Sequence, residues 1–339
     1  MTAGLEALAR VVQGNCDVSD ARHAQEMTLC NYLLAMREYC RWETGCPLGS
    51  EPDRASVSDW IARRESRWQA LGEESYAPLP LPCGPVDPFE ADTVNAHLVP
   101  AGWVYGAARG PFGKPHFFLG RLVRESSRGR LRILEVGPER ARDIGAAPAA
   151  LTGETIVLRH DAFERWLWSS AEAWGRGHEG GAMRAALDAY GFDRDRAGAL
   201  ARMASEQRET LLLHEMGEHE AGLALGPAWE GYFERLEDKR GEILARAVRD
   251  LLADCLVTLP AIARRRSAAS AHFWFATFGG MRRTLFPRLQ SAYERLREHD
   301  DWSAFDAAIG AGCAHWERTA RQLARGAGDA GDPARIALA

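Results

Sequence analysis

Between Ser75 and Phe89 the chain reads SYAPLPLPCGPVDPF, with prolines at 78, 80, 82, 85 and 88. Each proline lacks a backbone N–H and collides with the turn that would precede it in a helix, so no helix passes through this stretch. The segment must run extended, as a linker or a wrap, and it divides the N-terminal part of the chain from the longer remainder. A chain of 339 residues has room for two subdomains on either side of such a break.

Residues 1–75 carry helical patterning. Ser19 and Asp20 have the side chains of an N-cap, and ARHAQEMTLCNYLLAMREYCRWE after them places Met27, Cys30, Leu33, Leu34 and Met36 at helical spacing. Gly45 and Pro47 end that helix, and Ser56 to Asp59 can cap a second through WIARRESRWQAL. From about 93 to 160 the pattern changes to short runs of β-formers: AGWVYGAARG, PHFFLGRLVRE, RLRILEVG and ETIVLRH. Ser126-Ser127-Arg128-Gly129 stands between two of them like a hairpin turn. From Asp161 the chain is helical again almost to its end, with helices expected over 161–174, 181–191, 194–225, 228–259, 263–280 and 286–299. The closing RGAGDAGDPARIALA reads as frayed. The expected fold class is α+β, mostly α: a helical bundle with a small antiparallel β-rich insertion. Its parts are an N-terminal helical segment (1–75), a Pro-rich linker and β-rich subdomain (76–160), a C-terminal helical bundle (161–325) and a flexible tail (326–339).

A formal net charge of −5 gives no polyanion-binding surface, so nucleic acid is not an expected partner. The longest apolar runs, such as LVTLPAIA at 256–263, are far shorter than a membrane span. The opening MTAGLEALARVV lacks the basic start, apolar run and cleavage site of a secretory signal. Seven cysteines (16, 30, 40, 46, 83, 255 and 313) form no CxxC pair, which fits reduced thiols and argues against a thiolate zinc site. These features together predict a cytoplasmic address.

The chemistry is concentrated in LLLHEMGEHEAG, residues 211–222. On a helix, His214 and Glu218 lie one turn apart on one face, a spacing that offers two donors to one metal ion. Gly217 stands inside the same helix, where glycine costs about 1 kcal/mol relative to alanine, so close approach of a ligand or a neighbouring helix must require it. Downstream, RAVRDLLADCLVTLP repeats the spacing with Asp250 and Asp254, on a polar stripe that also holds Glu242 and Arg246. Two aspartates one turn apart between apolar flanks call for a cation, whether metal or arginine.

HEMGE followed by DLLAD resembles the HExxH…ExxAD pattern of gluzincin-type metallopeptidases. That resemblance implies His214 and Glu218 as ligands, Asp250 as the third ligand, Asp254 as an outer orienting ligand group and Glu215 as the general base. It departs from the family in placing Glu218 where a second histidine belongs and Asp250 where a glutamate belongs. The N-terminal stretch NCDVSDARHAQEMTLCNYLLAMREYCRWE is similar to an uncharacterised bacterial protein family, which implies no activity.

The expected function is a metal-dependent enzyme, foremost a hydrolase acting on a small molecule or peptide. Its cofactor is a divalent transition metal: one imidazole among carboxylates is a hard donor set that suits Fe or Mn as well as Zn. The same set suits a mono- or dinuclear non-haem iron oxidase. The third reading is a non-catalytic helical scaffold in which these residues form an ion-pair layer. Elsewhere, Arg37 and Arg41 share a helix face and suit a carboxylate or phosphate. His97 and His116 flank the Gly-rich AGWVYGAARGPFGKP, which lacks the order of a P-loop but suits a lid. Cys16 and Cys255 are read as buried and inert rather than nucleophilic, and Arg264 to Arg266 as a solvated face.

Overall fold

The first helix does not begin at Ser19 and Asp20; it contains them. In the computed structural model, which describes residues 2–174, 181–326 and 332–339, α1 runs Thr2–His23 and the chain then kinks before α2 (Leu29–Glu43), capped by Thr28. Ser19 and Asp20 are fully buried and spend their polar atoms on distant partners instead of on a cap. Ser19 Oγ donates to the Pro115 carbonyl, and Asp20 accepts from Ile144 N at 2.9 Å. The third helix, α3 (Arg54–Leu71), is capped by Asp53, which takes the Ser56 N–H, so Ser56 lies inside the helix.

The chain forms two units, Met1–Glu172 and Ala173–Ala339. In the first, the proline segment is extended as expected and pairs with itself as β1 (Leu79–Leu81) and β2 (Gly84–Val86). Asn15 of α1 pins it through both polar groups of Ala77. A short helix, α4 (Ala91–Leu98), follows where none was expected, held by Asn95 against the backbone of Tyr105. Five strands then form one sheet: β3 (Trp103–Arg109), β4 (Pro115–Arg128), β5 (Leu131–Arg142), β6 (Ala149–Thr152) and β7 (Thr155–Arg159), in the order β3-β4-β5-β7-β6. The sheet is mixed rather than wholly antiparallel. β6 and β7 form a hairpin, and β7 lies parallel to β5 while β6 takes the edge. The β4–β5 turn is Gly129-Arg130, with Gly129 at φ +60; Ser126 and Ser127 are still in the strand. Leu8, Val12 and Cys16 of α1 pack on Phe117, Leu119 and Ala141 of the sheet, and α5 (His160–Trp174) follows β7.

The second unit is helical. It contains α6 (Gly181–Ala189), α7 (Arg196–Leu225), α8 (Pro227–Glu234) and α9 (Lys239–Ala253). A π-helical turn at Asp254–Thr258 leads into α10 (Leu259–Arg265), followed by α11 (Ala268–Thr277), α12 (Gly280–Leu285), α13 (Pro287–His299), α14 (Trp302–Ala324) and α15 (Pro333–Ile336). Helix α7 is unbroken over 30 residues. The helix expected over 228–259 is divided, because Asp238 caps a new start by accepting from Gly241 N. The helix expected over 263–280 is broken at Arg266, whose φ of 49° is left-handed. The core gathers Leu251, Leu252, Trp274, Phe286, Phe305 and Trp316, with the Phe275 and Tyr293 rings stacked at 3.9 Å. The end of the chain is not frayed: Leu338 N donates to Leu285 O, and Ile336 is buried. Residues 327–331 of that stretch lie outside the described residues. No helix among the described residues is long and apolar enough to cross a membrane.

Candidate functional site

Helices α7 and α9 meet at Gly217. A Cβ built there would lie 2.4 Å from the Ala253 carbonyl oxygen, so only glycine lets the two backbones approach this closely. The approach places His214 and Glu218 of α7 opposite Asp250 of α9 and Asp254 of the π-helical turn. One donor atom each from His214, Glu218 and Asp250 lie within 4.8 Å of one another. The fourth residue, Asp254, stands behind the imidazole: its Oδ1 is 2.9 Å from His214 Nδ1. With Nδ1–H donating to that carboxylate, Nε2 faces Glu218, 3.7 Å from its Oε1. The side chains of His214, Glu218 and Asp250 are 20–26 % exposed, so the cluster is open on one side, whereas Asp254 is fully buried.

Two arginines that the sequence reading did not assign complete the site. Arg249 Nη2 is 2.7 Å from Glu218 Oε1 and 3.3 Å from Asp250 Oδ1, and its Nε is buried without a hydrogen-bond partner. Arg282 of α12 reaches Asp254 Oδ2 at 3.3 Å and donates to the Thr277 carbonyl. Arg249 adjoins Asp250 in sequence, and a charged pair of neighbours in an Arg-rich helix is indistinguishable from a wet face until the fold is known.

The electrostatics follow from burial set against pairing. Burial works against the His214 cation, but Asp254, Glu218 and Glu215 together raise its pKa to about 10. Burial would push the Asp254 carboxyl up, yet His214 and Arg282 hold it below the ordinary carboxylate value. Glu215 is almost fully enclosed, and burial followed by the nearby Glu218 carboxylate raises it to about 7.

The other sequence candidates are occupied elsewhere. Arg37 and Arg41 both pair with Glu172, and Arg41 also with Glu38 at 2.6 Å. Cys16 and Cys255 are buried, and burial pushes both thiols well above their ordinary pKa, which keeps them protonated and inert. All seven cysteines are free. His97 is exposed at the end of α4. Arg265 and Arg266 are exposed and paired with Glu209 and Asp306.

These features define a mostly helical α+β protein of two units, the second bearing a half-open histidine–carboxylate cluster. Residues 7–159 match the N-terminal domain, and residues 164–338 the C-terminal domain, of the family described as "Family of unknown function (DUF6866)". The chain belongs to that family. No curated protein and no solved structure matches it.

Proposed function

We propose that the second unit binds one divalent transition metal through His214 Nε2, Glu218 and Asp250, and uses it in hydrolysis. The observation that supports this reading is the convergence of three donor atoms within 4.8 Å, with the imidazole oriented from behind by a buried carboxylate. A zinc, iron or manganese ion bound there would supply Lewis acidity and an activated water. Asp254 fixes the imidazole ring and keeps the Nδ1 proton, so that Nε2 is the ligating nitrogen. Glu215, enclosed beside the cluster and about 100° around α7 from His214, takes the proton of the attacking water. Arg249 balances Glu218 and Asp250 and then stands at the mouth as a binding group for an anionic part of the substrate. The gluzincin likeness of HEMGE and DLLAD supplies this order of roles and rests on two five-residue segments.

Two observations favour other readings. The single histidine among carboxylates is also the donor set of iron oxidation sites. The 2.7 Å contact of Arg249 with Glu218 is what an ion-pair layer in a non-catalytic scaffold would show. Metal analysis of protein purified without added metal separates them. About one equivalent of transition metal, lost in His214→Ala, supports the site; a metal-free protein under every loading condition establishes the ion-pair layer. In a metal-bound protein screened against ester, amide and phosphoester probes, Glu215→Gln lowers hydrolysis by about two to four orders of magnitude and leaves the metal in place. Oxygen consumption with Fe(II) that is insensitive to Glu215→Gln would instead support oxidation.

A further inference from the structure

The loop that joins β3 to β4 in the first unit closes on itself, Gly110 N donating to Lys114 O at 2.8 Å, and comes to rest against the imidazole of His116. His116 Nδ1 is 3.1 Å from Asp143 Oδ1. That oxygen also accepts from Gly145 N at 2.6 Å and Ala146 N at 3.1 Å. Burial would push the Asp143 carboxyl up, but His116, Lys114 and Arg159 hold it well below the usual carboxylate range. An ionised acceptor on Nδ1 fixes the tautomer whose Nε2 carries a lone pair. The His116 side chain is 20 % exposed, while Asp143 is sealed.

Two glycines keep this ring open. A Cβ at Gly110 would lie 2.4 Å from His116 Nε2, and one at Gly145 would lie 2.9 Å from both Asp143 Oδ1 and His116 Cε1. Neither glycine has a positive φ, so it is room beside the imidazole, not backbone freedom, that excludes a side chain. Strain gathers at the same place. Four non-glycine residues among those described have a positive φ, and two of them, Phe112 at 57° and Ala146 at 38°, lie in the two segments that flank the ring. Lys114 lies two residues before His116, its ammonium 2.8 Å from Asp20 Oδ1, and an ammonium has two further N–H donors.

We propose that the first unit carries a second, metal-independent site in which His116 is a general base for hydrolysis of small esters, Asp143 positions its ring and Lys114 stabilises the oxyanion. In the forward step Nε2 takes a proton from water as the water oxygen bonds to the acyl carbon, and the carbonyl electron pair moves onto oxygen beside the Lys114 ammonium. The acyl C–O bond then breaks, and Nε2 returns the proton to the departing alkoxide, so water and ester become acid and alcohol.

The test uses the full chain, p-nitrophenyl acetate as probe, and EDTA throughout. Wild type hydrolyses the ester faster than buffer, and His116→Gln and Gly110→Ala each lower the catalysed rate by about 100-fold or more. Gly110→Ala is the decisive variant, because its added methyl meets the His116 ring and otherwise only Lys114 O at 3.6 Å. A Gly110→Ala protein with a wild-type melting curve and a wild-type rate overturns the proposal. So does a wild type no faster than His116→Gln, or an activity abolished by EDTA, which would belong to the metal reading of the second unit. Asp143→Asn adds a readout that a purely structural role would not move: its loss falls on kcat rather than KM.

Discussion

Replacing Gly217 and Gly222 by alanine, one at a time, perturbs the same helix in opposite directions. Both lie inside α7, and on helix propensity alone each replacement stabilises by up to about 1 kcal/mol. At Gly222 nothing lies within 4 Å of the added Cβ and the position is exposed, so the full gain is expected. At Gly217 the Cβ meets Ala253 O at 2.4 Å and its carbonyl carbon at 2.9 Å. An ordinary C···O contact is about 3.3 Å or more, so α7 and α9 must part by about 1 Å. Overpacking costs about 1–3 kcal/mol, and a backbone obstacle, which cannot rotate away, belongs at the upper end. Setting about 3 against about 1 leaves a net loss of about 2 kcal/mol. For a unit of this size each kcal/mol moves Tm by about 2–4 °C. Gly217→Ala therefore lowers Tm by about 4–8 °C in differential scanning calorimetry, and Gly222→Ala raises it by about 2–4 °C. A rise of equal size in both variants would show that the helices do not touch at Gly217, and the juxtaposition of His214 with Asp254 would lose its basis.

Asp254→Asn keeps an acceptor for His214 Nδ1 but removes the charge behind the ring; metal affinity falls about 10–100-fold by competition with a chelating dye, and unchanged affinity would remove Asp254 from the site. Arg64 joins buried Asp17 at 2.7 Å and lies over the Tyr39 and Trp60 rings, so Arg64→Leu destabilises the first unit by about 3 kcal/mol in urea. A change under about 1 kcal/mol would mean that Arg67, also on Asp17, suffices alone. Burial and the nearby Arg297 hold the pKa of His272 below 6.5, so its native form is neutral. The unfolded chain then binds more protons as pH falls, and the stability held above about pH 6.5 is lost below it. His272→Gln flattens the urea midpoint between about pH 7.5 and 5.5 relative to wild type; parallel profiles would refute the assignment.

Helices whose signals are local were legible in the sequence. α5, α7 and α13 follow from apolar periodicity, and the proline segment is extended as its residues require. The features that escaped depend on partners far along the chain. Ser19 and Asp20 have the chemistry of a cap, but their partners Pro115 and Ile144 lie 96 and 124 residues away, and no local pattern distinguishes the two uses. The parallel pairing of β5 with β7 is likewise a choice of neighbour, to which neither strand's residues point. At the cluster, the i,i+4 pairs and the out-of-place Gly217 were visible, and the glycine's role is now specific: it admits the α9 backbone. The grip of Arg249 on Glu218 spans 31 residues and was not readable. His116 was noted only as flanking a glycine-rich loop, because Asp143 lies 27 residues on with nothing in between to link them.

The π-helical turn at Asp254–Thr258 has a consequence for which lengths of chain this fold accepts. Pro260 has no N–H for the carbonyl of Leu256, and the turn just before it is widened, with Leu259 N donating to Asp254 O five residues back. The widened turn thus works as a phase shifter: it carries one residue more than an α-helical path would need. Removing any one residue of 254–258 would restore an ordinary helix and rotate everything beyond it by about 100° relative to α9. Leu259, Ile262 and Ala263 would then leave the core, while Asp250 stayed in register with α7. Point substitutions at the exposed positions of this segment can be mild, but a single-residue deletion cannot, so natural variation here is expected to conserve residue count more strictly than residue type.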